Sequence, residues 1–184
     1  MDMFILRHGE AGKRIAAGGK DSERPLTVAG QKEITVVANS LKDLDMKFDL
    51  IISSPLKRAH QTAGIIAKIL KKGKKIEDWN ELKPEGNKQE FYRKLSSSTQ
   101  FKQYSSVLVV GHEPYLTDMI SDIISDGNGG GRGGGGGGST GGSGHIVLKK
   151  AGLARLGITS FTPQNLHGEL KWLLTPRHLK YMIN

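Results

Sequence analysis

Two histidines, two arginines and a carboxylate fall in four short stretches of this chain: Leu6-Arg7-His8-Gly9-Glu10, Ser53-Ser54-Pro55-Leu56-Lys57-Arg58-Ala59, Glu81-Leu82, and Gly111-His112-Glu113-Pro114. A pair of guanidinium groups binds the equatorial oxygens of a phosphoryl group through charge-assisted, bidentate hydrogen bonds. A neutral imidazole attacks phosphorus and forms a phosphohistidine intermediate. A second histidine, if protonated, stabilises the charge developing on the transferred group. Phosphoryl transfer needs little else, because it is mostly positioning and electrostatics. One Arg-His-Gly triplet is weak, since a lone histidine at a strand end is usually a polar loop residue. The joint pattern points to phosphate chemistry.

Those residues must be positioned by strands. Phe4-Ile5-Leu6 is a short apolar run of the kind found in buried parallel strands, and it ends at Arg7-His8. Asp49-Leu50-Ile51-Ile52-Ser53 leads to Arg58 in the same way, and Ser106-Val107-Leu108-Val109-Val110 leads to Gly111-His112. Thr27 is the expected N-cap of a helix carrying Ile34, Val37, Ala38 and Leu41 at helical spacing. Ser54-Pro55 is expected to open a second helix, with Pro55 in its first turn and Ala59, Ala63, Ile66, Ala67 and Leu70 facing inward. Further strands are predicted at Ile76–Trp79, Leu153–Thr159 and Glu169–Leu174, and further helices around Glu90–Leu95 and Leu116–Ile124. Alternating strands and helices predict an α/β fold, a three-layer sandwich with a central, mostly parallel sheet. In such sheets ligands bind at the carboxyl ends of the strands, where the three segments converge.

A length of 184 residues fits one domain, 1–184. Cysteine is absent, which excludes disulfides and thiolate metal sites. No apolar run approaches a membrane span, and the N-terminus reaches Arg7 too soon for a signal peptide, so a cytoplasmic, monomeric protein is expected. The net charge of +9 favours acidic or phosphorylated partners. Its densest cluster, Lys71-Lys72-Gly73-Lys74-Lys75, suits a solvated helix end. The tract Gly127–Gly144 is nearly all glycine, with Asn128, Arg132, Ser139, Thr140 and Ser143. It lacks the Lys-Ser/Thr frame of a phosphate-binding loop and is expected to be a flexible inserted loop. A basic, glycine-rich nucleic-acid binder is the non-enzymatic alternative, but interleaved aromatics are missing and no nucleic-acid partner is expected.

Leu6-Arg7-His8-Gly9-Glu10, Arg24-Pro25-Leu26-Thr27-Val28-Ala29-Gly30, Ser53-Ser54-Pro55-Leu56-Lys57-Arg58-Ala59-His60-Gln61-Thr62-Ala63 and Val109-Val110-Gly111-His112-Glu113-Pro114 resemble, in order, the motifs of the histidine phosphatase (phosphoglycerate mutase-like) superfamily. Asn80-Glu81-Leu82-Lys83-Pro84-Glu85-Gly86 and Thr175-Pro176-Arg177-His178-Leu179-Lys180 are similar to stretches of its SixA-like phosphohistidine phosphatase branch. The resemblance implies the phosphoglycerate mutase-like sandwich, with His8 as nucleophile, Arg7 and Arg58 as phosphate clamps, and His112 as the charge-stabilising partner. Gly9 would let the backbone approach the phosphate, and Arg24 would stand at the pocket rim. No metal and no cofactor are implied.

Substrate class turns on a general acid. A phosphate monoester leaves as an alkoxide and benefits from a positioned acid, whereas phosphohistidine leaves as an imidazole and needs little help. Glu81 stands where the superfamily can carry an acid, and Glu10 and Glu113 are other carboxylates near the motifs. Only about thirty residues separate the second helix from the strand at 106, too few for a separate cap domain. An open pocket on a basic protein suits a phosphorylated, acidic protein substrate. The alternative is a general-acid-dependent phosphatase of small phosphate esters.

Overall fold

The computed structural model describes residues 1–13, 20–71, 76–98, 101–125 and 146–182. The glycine tract at 127–144 and most of the lysine cluster at 71–75 lie outside the described residues. Strands β1 (Asp2–Arg7), β2 (Leu50–Ser53), β3 (Ile76–Asp78), β4 (Ser106–Gly111), β5 (Leu153–Phe161) and β6 (Leu166–Leu174) form one sheet in the order β3-β2-β4-β1-β5-β6. The first four positions pair in parallel, whereas β5 runs antiparallel to β1 and β6 antiparallel to β5. The expected mostly parallel sheet is therefore extended on one side by an antiparallel hairpin, which needs only a short turn.

Both faces of the sheet are covered, so its central strands are apolar throughout. Met3, Ile5, Val107 and Val109 pack under α3 (Lys88–Ser97) and α4 (Tyr115–Ile124), among Phe91, Leu95, Leu116 and Met119. Phe4, Leu6, Leu108 and Val110 face α1 (Val28–Asp43), α2 (Lys57–Ile69) and α5 (Pro176–Tyr181), among Ile34, Leu41, Ala63 and Leu179. Thr27 caps α1 as expected, its side chain accepting from Gly30 N. The start of α2 differs from expectation. Leu56 is its N-cap, so Pro55 precedes the helix, and Ser54 Oγ accepts from Leu56 N at 3.4 Å to form the turn between β2 and α2. Ala67 and Leu70 are half-buried. Helix α5 opens on Thr175 and Pro176, a capping residue followed by proline.

Strand register sets the level of the chemistry. Arg7 pairs with Gly111, and both Leu6 and Ser53 pair with Val110, so β1, β4 and β2 end side by side. The next residues continue that alignment: His8 N donates to Gly111 O at 3.1 Å and Ser54 N to Val110 O at 2.9 Å. Helix α1 then closes over the loop after β1. Thr27 N donates to Glu10 O at 2.9 Å, and a Cβ on Gly30 would stand 2.2 Å from Glu10 O.

That distance explains the glycine of the Arg24–Gly30 motif, because only a residue without a side chain lets the first turn of α1 meet the Glu10 backbone. Gly30→Ala is expected to destabilise the fold by about 1–3 kcal/mol, the usual cost of overpacking against an element that must shift. Thermal denaturation of the variant reads the effect, and an unchanged melting temperature would refute the close approach.

Candidate active site

His8 and His112 face each other across the ends of β1 and β4, with ring centroids 5.0 Å apart. Both are buried, at 8% and 2% exposure, as is Arg58 at 5%. His8 Nδ1 lies 2.6 Å from Gly9 O. A carbonyl only accepts, so Nδ1 carries the proton and Nε2 keeps its lone pair. Arg58, one residue into α2, sends its Nε to within 3.3 Å of that Nε2. On the other ring, His112 Nε2 is 2.8 Å from Ser54 Oγ. Thr62 links α2 to the loop after β1, accepting from Gly9 N at 3.3 Å and donating to Arg58 O at 2.8 Å.

Burial is the largest influence on both histidines. It lowers His8 to about 4, with Arg58, Arg7 and Arg24 pushing the same way against the Gly9 hydrogen bond. It lowers His112 to about 3, aided by His8 and Arg58 and opposed by Asp21. Both rings are therefore neutral at neutral pH. The protonated second histidine considered from the sequence is not the state of this site. Its positive charge resides on the arginines.

Arg7 donates from Nη1 to Leu148 O at 2.9 Å, which ties β1 to the segment leading into β5. Its Nε, Arg24 Nε and His112 Nδ1 are all buried without a hydrogen-bond partner among the described residues. Buried orphan groups of this kind cost about 1–3 kcal/mol each, and a phosphoryl group brings several acceptor oxygens. Arg24 stands beside the site, half-buried, with Nη1 2.7 Å from Asp21 Oδ1. Gly9 has a packing role, because a Cβ there would meet Ile34 Cγ1 at 2.8 Å and Gly30 O at 3.0 Å.

The carboxylates separate by environment. Glu81 accepts from Lys94 Nζ through both oxygens at 3.1 Å, and Lys94 also sits 4.4 Å over the Trp79 ring. None of its described hydrogen bonds reaches Arg7, His8, Arg58 or His112. Glu10 is held by Thr27 Oγ1 at 3.2 Å and Lys150 at 3.5 Å. Burial raises Glu113, although a 2.5 Å hydrogen bond from Thr117 and the charge of Arg7 oppose that shift. Sequence reasoning missed Asp21, which engages both Arg58 and Arg24. Its only signal was a carboxylate three residues before Arg24. Ser54 lies within a motif, but nothing in the sequence distinguishes its hydroxyl as the partner of His112. Among the described residues, no group of three or more His, Asp or Glu is placed to hold a metal ion, and no helix is long and apolar enough to cross a membrane.

Residues 3–100 match the family model of the histidine phosphatase superfamily (branch 1). Phosphohistidine phosphatase SixA of Escherichia coli (strain K12) is 33% identical over 121 residues, 66% of this chain and 73% of that protein. An uncharacterized protein of Picosynechococcus sp. is 34% identical over 116 residues, 63% of this chain and 68% of its own length. Among solved structures, the protein histidine phosphatase SixA complexed with tungstate aligns with a TM-score of 0.73 and 26% identity, covering 98% of this chain and 100% of that one.

The neutral histidine pair has a consequence for stability. The unfolded chain takes up protons on these rings near pH 6.5, while the folded site refuses them until about pH 4 at His8 and about pH 3 at His112. Stability held above pH 6.5 is therefore lost as pH falls through that window, with a slope of about 1.4 kcal/mol per pH unit for each histidine titrating only in the unfolded state. Melting temperatures measured from pH 7 to pH 4 should fall, and the fall should shrink in His8→Gln and His112→Gln. A flat profile in the wild type would contradict the neutral pair.

Proposed function

The chain belongs to the histidine phosphatase superfamily, and we propose that within it the enzyme hydrolyses phosphohistidine on a protein, the activity named for its SixA relative. The observation that carries this reading is His8 itself: neutral, with Nδ1 committed to Gly9 O and the Nε2 lone pair beside Arg58. Nε2 attacks phosphorus while the bond from phosphorus to the substrate imidazole breaks. The departing ring, protonated beforehand by solvent on its distal nitrogen, takes the electron pair of the broken bond and leaves neutral. His8 retains its Nδ1 proton and so carries a positive charge once phosphorylated, which makes it in turn a good leaving group. Water then attacks phosphorus as the bond to Nε2 breaks, both of its protons stay with the product as dihydrogen phosphate, and neutral His8 is restored.

Arg7 and Arg58 hold the equatorial oxygens, and His112, anchored by Ser54, meets the charge from the opposite side. Burial is what chiefly keeps His112 neutral, and a dianionic phosphoryl group placed beside it favours its charged form against that burial and the arginine charges. Gly9 and Thr62 fix the loop that aims the nucleophile. No step needs a carboxylic acid at the leaving atom. The engagement of Glu81 by Lys94 supports that economy, because a carboxylate gripped through both oxygens is poorly placed to donate a proton. Access for a protein side chain is supported by the segment between α2 and β4. Its described residues form β3, α3 and two short 3-10 turns, and the segment packs into the layers through Trp79, Phe91 and Leu95.

Turnover of a phosphohistidine-bearing protein, p-nitrophenyl phosphate and a sugar-phosphate panel tests this reading. The phosphohistidine protein should be the preferred substrate, and His8→Ala should reduce its turnover by at least about a thousandfold. Glu81→Gln should leave that turnover within roughly threefold of wild type, since no acid contribution of 10²–10⁴ is being removed. Preferred hydrolysis of sugar phosphates, abolished in Glu81→Gln, would instead establish a general-acid-dependent phosphatase of small esters.

A further inference from the structure

Asp21 has no part in the chemistry above, yet it joins two of the arginines of the site. It opens a single turn of 3-10 helix, Asp21–Glu23, ahead of α1. Its Oδ1 lies 2.7 Å from Arg24 Nη1 and its Oδ2 lies 3.0 Å from Arg58 Nη2. Its backbone carbonyl accepts from Arg58 Nη1 at 2.9 Å. Both terminal nitrogens of Arg58 are thus held by one residue, while Nε remains 3.3 Å from His8 Nε2. A guanidinium is a rigid planar fork, so gripping its far end fixes the direction of its near edge.

Resting on the phosphoryl-transfer reading, we propose that Asp21 is the positioning residue of the phosphate clamp. It holds Arg58 by Nη1 and Nη2 so that the Nε–H edge stays beside His8 Nε2, where it passes to an oxygen of the phosphoryl group that this nitrogen attacks, and it draws Arg24 into the same cluster as a third cation around the phosphoryl group. Without that grip Arg58 regains the rotamer freedom of a long side chain. The same carboxylate repels an incoming anion and competes with it for the terminal nitrogens. Asp21 therefore has opposite effects on the two kinetic parameters: it aligns the group that acts during transfer, and it weakens ground-state binding of the anion. A residue needed only for folding has no such split.

Asp21 is half-exposed on its turn, so substitution leaves the core untouched. The test measures p-nitrophenyl phosphate kinetics and tungstate binding by calorimetry on the full chain, comparing wild type, Asp21→Asn, Asp21→Glu and Glu23→Gln. Glu23 lies on the same turn, 3.9 Å from Lys57, and its substitution removes an equal charge without touching Arg58. Asp21→Asn should lower kcat by roughly tenfold to a hundredfold, the scale of a misplaced catalytic group. It should bind tungstate at wild-type stoichiometry with an equal or lower Kd. Asp21→Glu should restore part of kcat, and Glu23→Gln should match wild type. An unchanged or raised kcat in Asp21→Asn, a tungstate affinity lost in step with kcat, or an equal defect in Glu23→Gln would each overturn the proposal. A wild type that cleaves p-nitrophenyl phosphate but spares a phosphohistidine protein refutes the substrate reading and leaves this comparison intact. A wild type inert towards both removes the premise, and the role of Asp21 falls with it.

Discussion

Three parallel strands that end at the same height are the constraint on which the rest of this structure depends. β2, β4 and β1 are neighbours, and their register carries one step past the sheet through the hydrogen bonds from Ser54 N to Val110 O and from His8 N to Gly111 O. Ser54, His112 and His8 consequently emerge together. Side chains alternate between faces along a strand, so a slip of one residue would send the apolar set of β4 into the wrong layer. The packing that forbids such a slip, Val107 and Val109 on one face and Leu108 and Val110 on the other, also sets the 5.0 Å separation of the two imidazoles. Core and site are specified by the same contacts.

Electrostatics follow from that burial. Two histidines, packed against each other and surrounded by guanidinium groups, lose the competition for a proton and stay neutral. A neutral ring next to fixed positive charge is a stable arrangement only because arginine keeps its proton under these conditions, whereas a lysine could shed its own. Asp21 moderates the excess. Burial would push its carboxyl up, but Arg58 and Arg24 outweigh that and hold it below the usual carboxylate range. The cluster is thus a balance of unlike charges around a small neutral pair.

Much of this was legible in the residue order. Apolar runs such as Phe4–Leu6 and Val107–Val110 have little alternative to a doubly covered strand, and Thr27 followed by helical spacing announces α1. The convergence of Arg7, His8, Arg58 and His112 was expected because Arg7, His8 and His112 stand at the ends of such runs and Arg58 follows one within the first turn of the next helix. The start of α2 was misplaced by two residues, since proline is compatible both with the first helical turn and with the turn before it; the Ser54 hydroxyl, engaged by Leu56 N and His112, decided between them. The hairpin of β5 and β6 was visible as two strands, but the antiparallel pairing of β5 with β1 depends on the direction in which the chain returns to the sheet.

The sequence by itself determined which side chains reach the strand ends, because local periodicity and the chemistry of each residue are written in order along the chain. Only the tertiary structure decided their charge states and partners. Protonation of His8 and His112 depends on how much water is excluded and which guanidinium groups lie nearby. The pairing of Glu81 with Lys94 and of Asp21 with Arg24 and Arg58 depends on distances between segments. Asp21 and Arg58 are far apart in the chain and meet only because the turn before α1 folds onto α2. Spacing within one segment cannot encode the separation of two, so the sequence marks Asp21 only as a carboxylate near Arg24, and its tie to Arg58 exists only because the fold brings them within 3.0 Å.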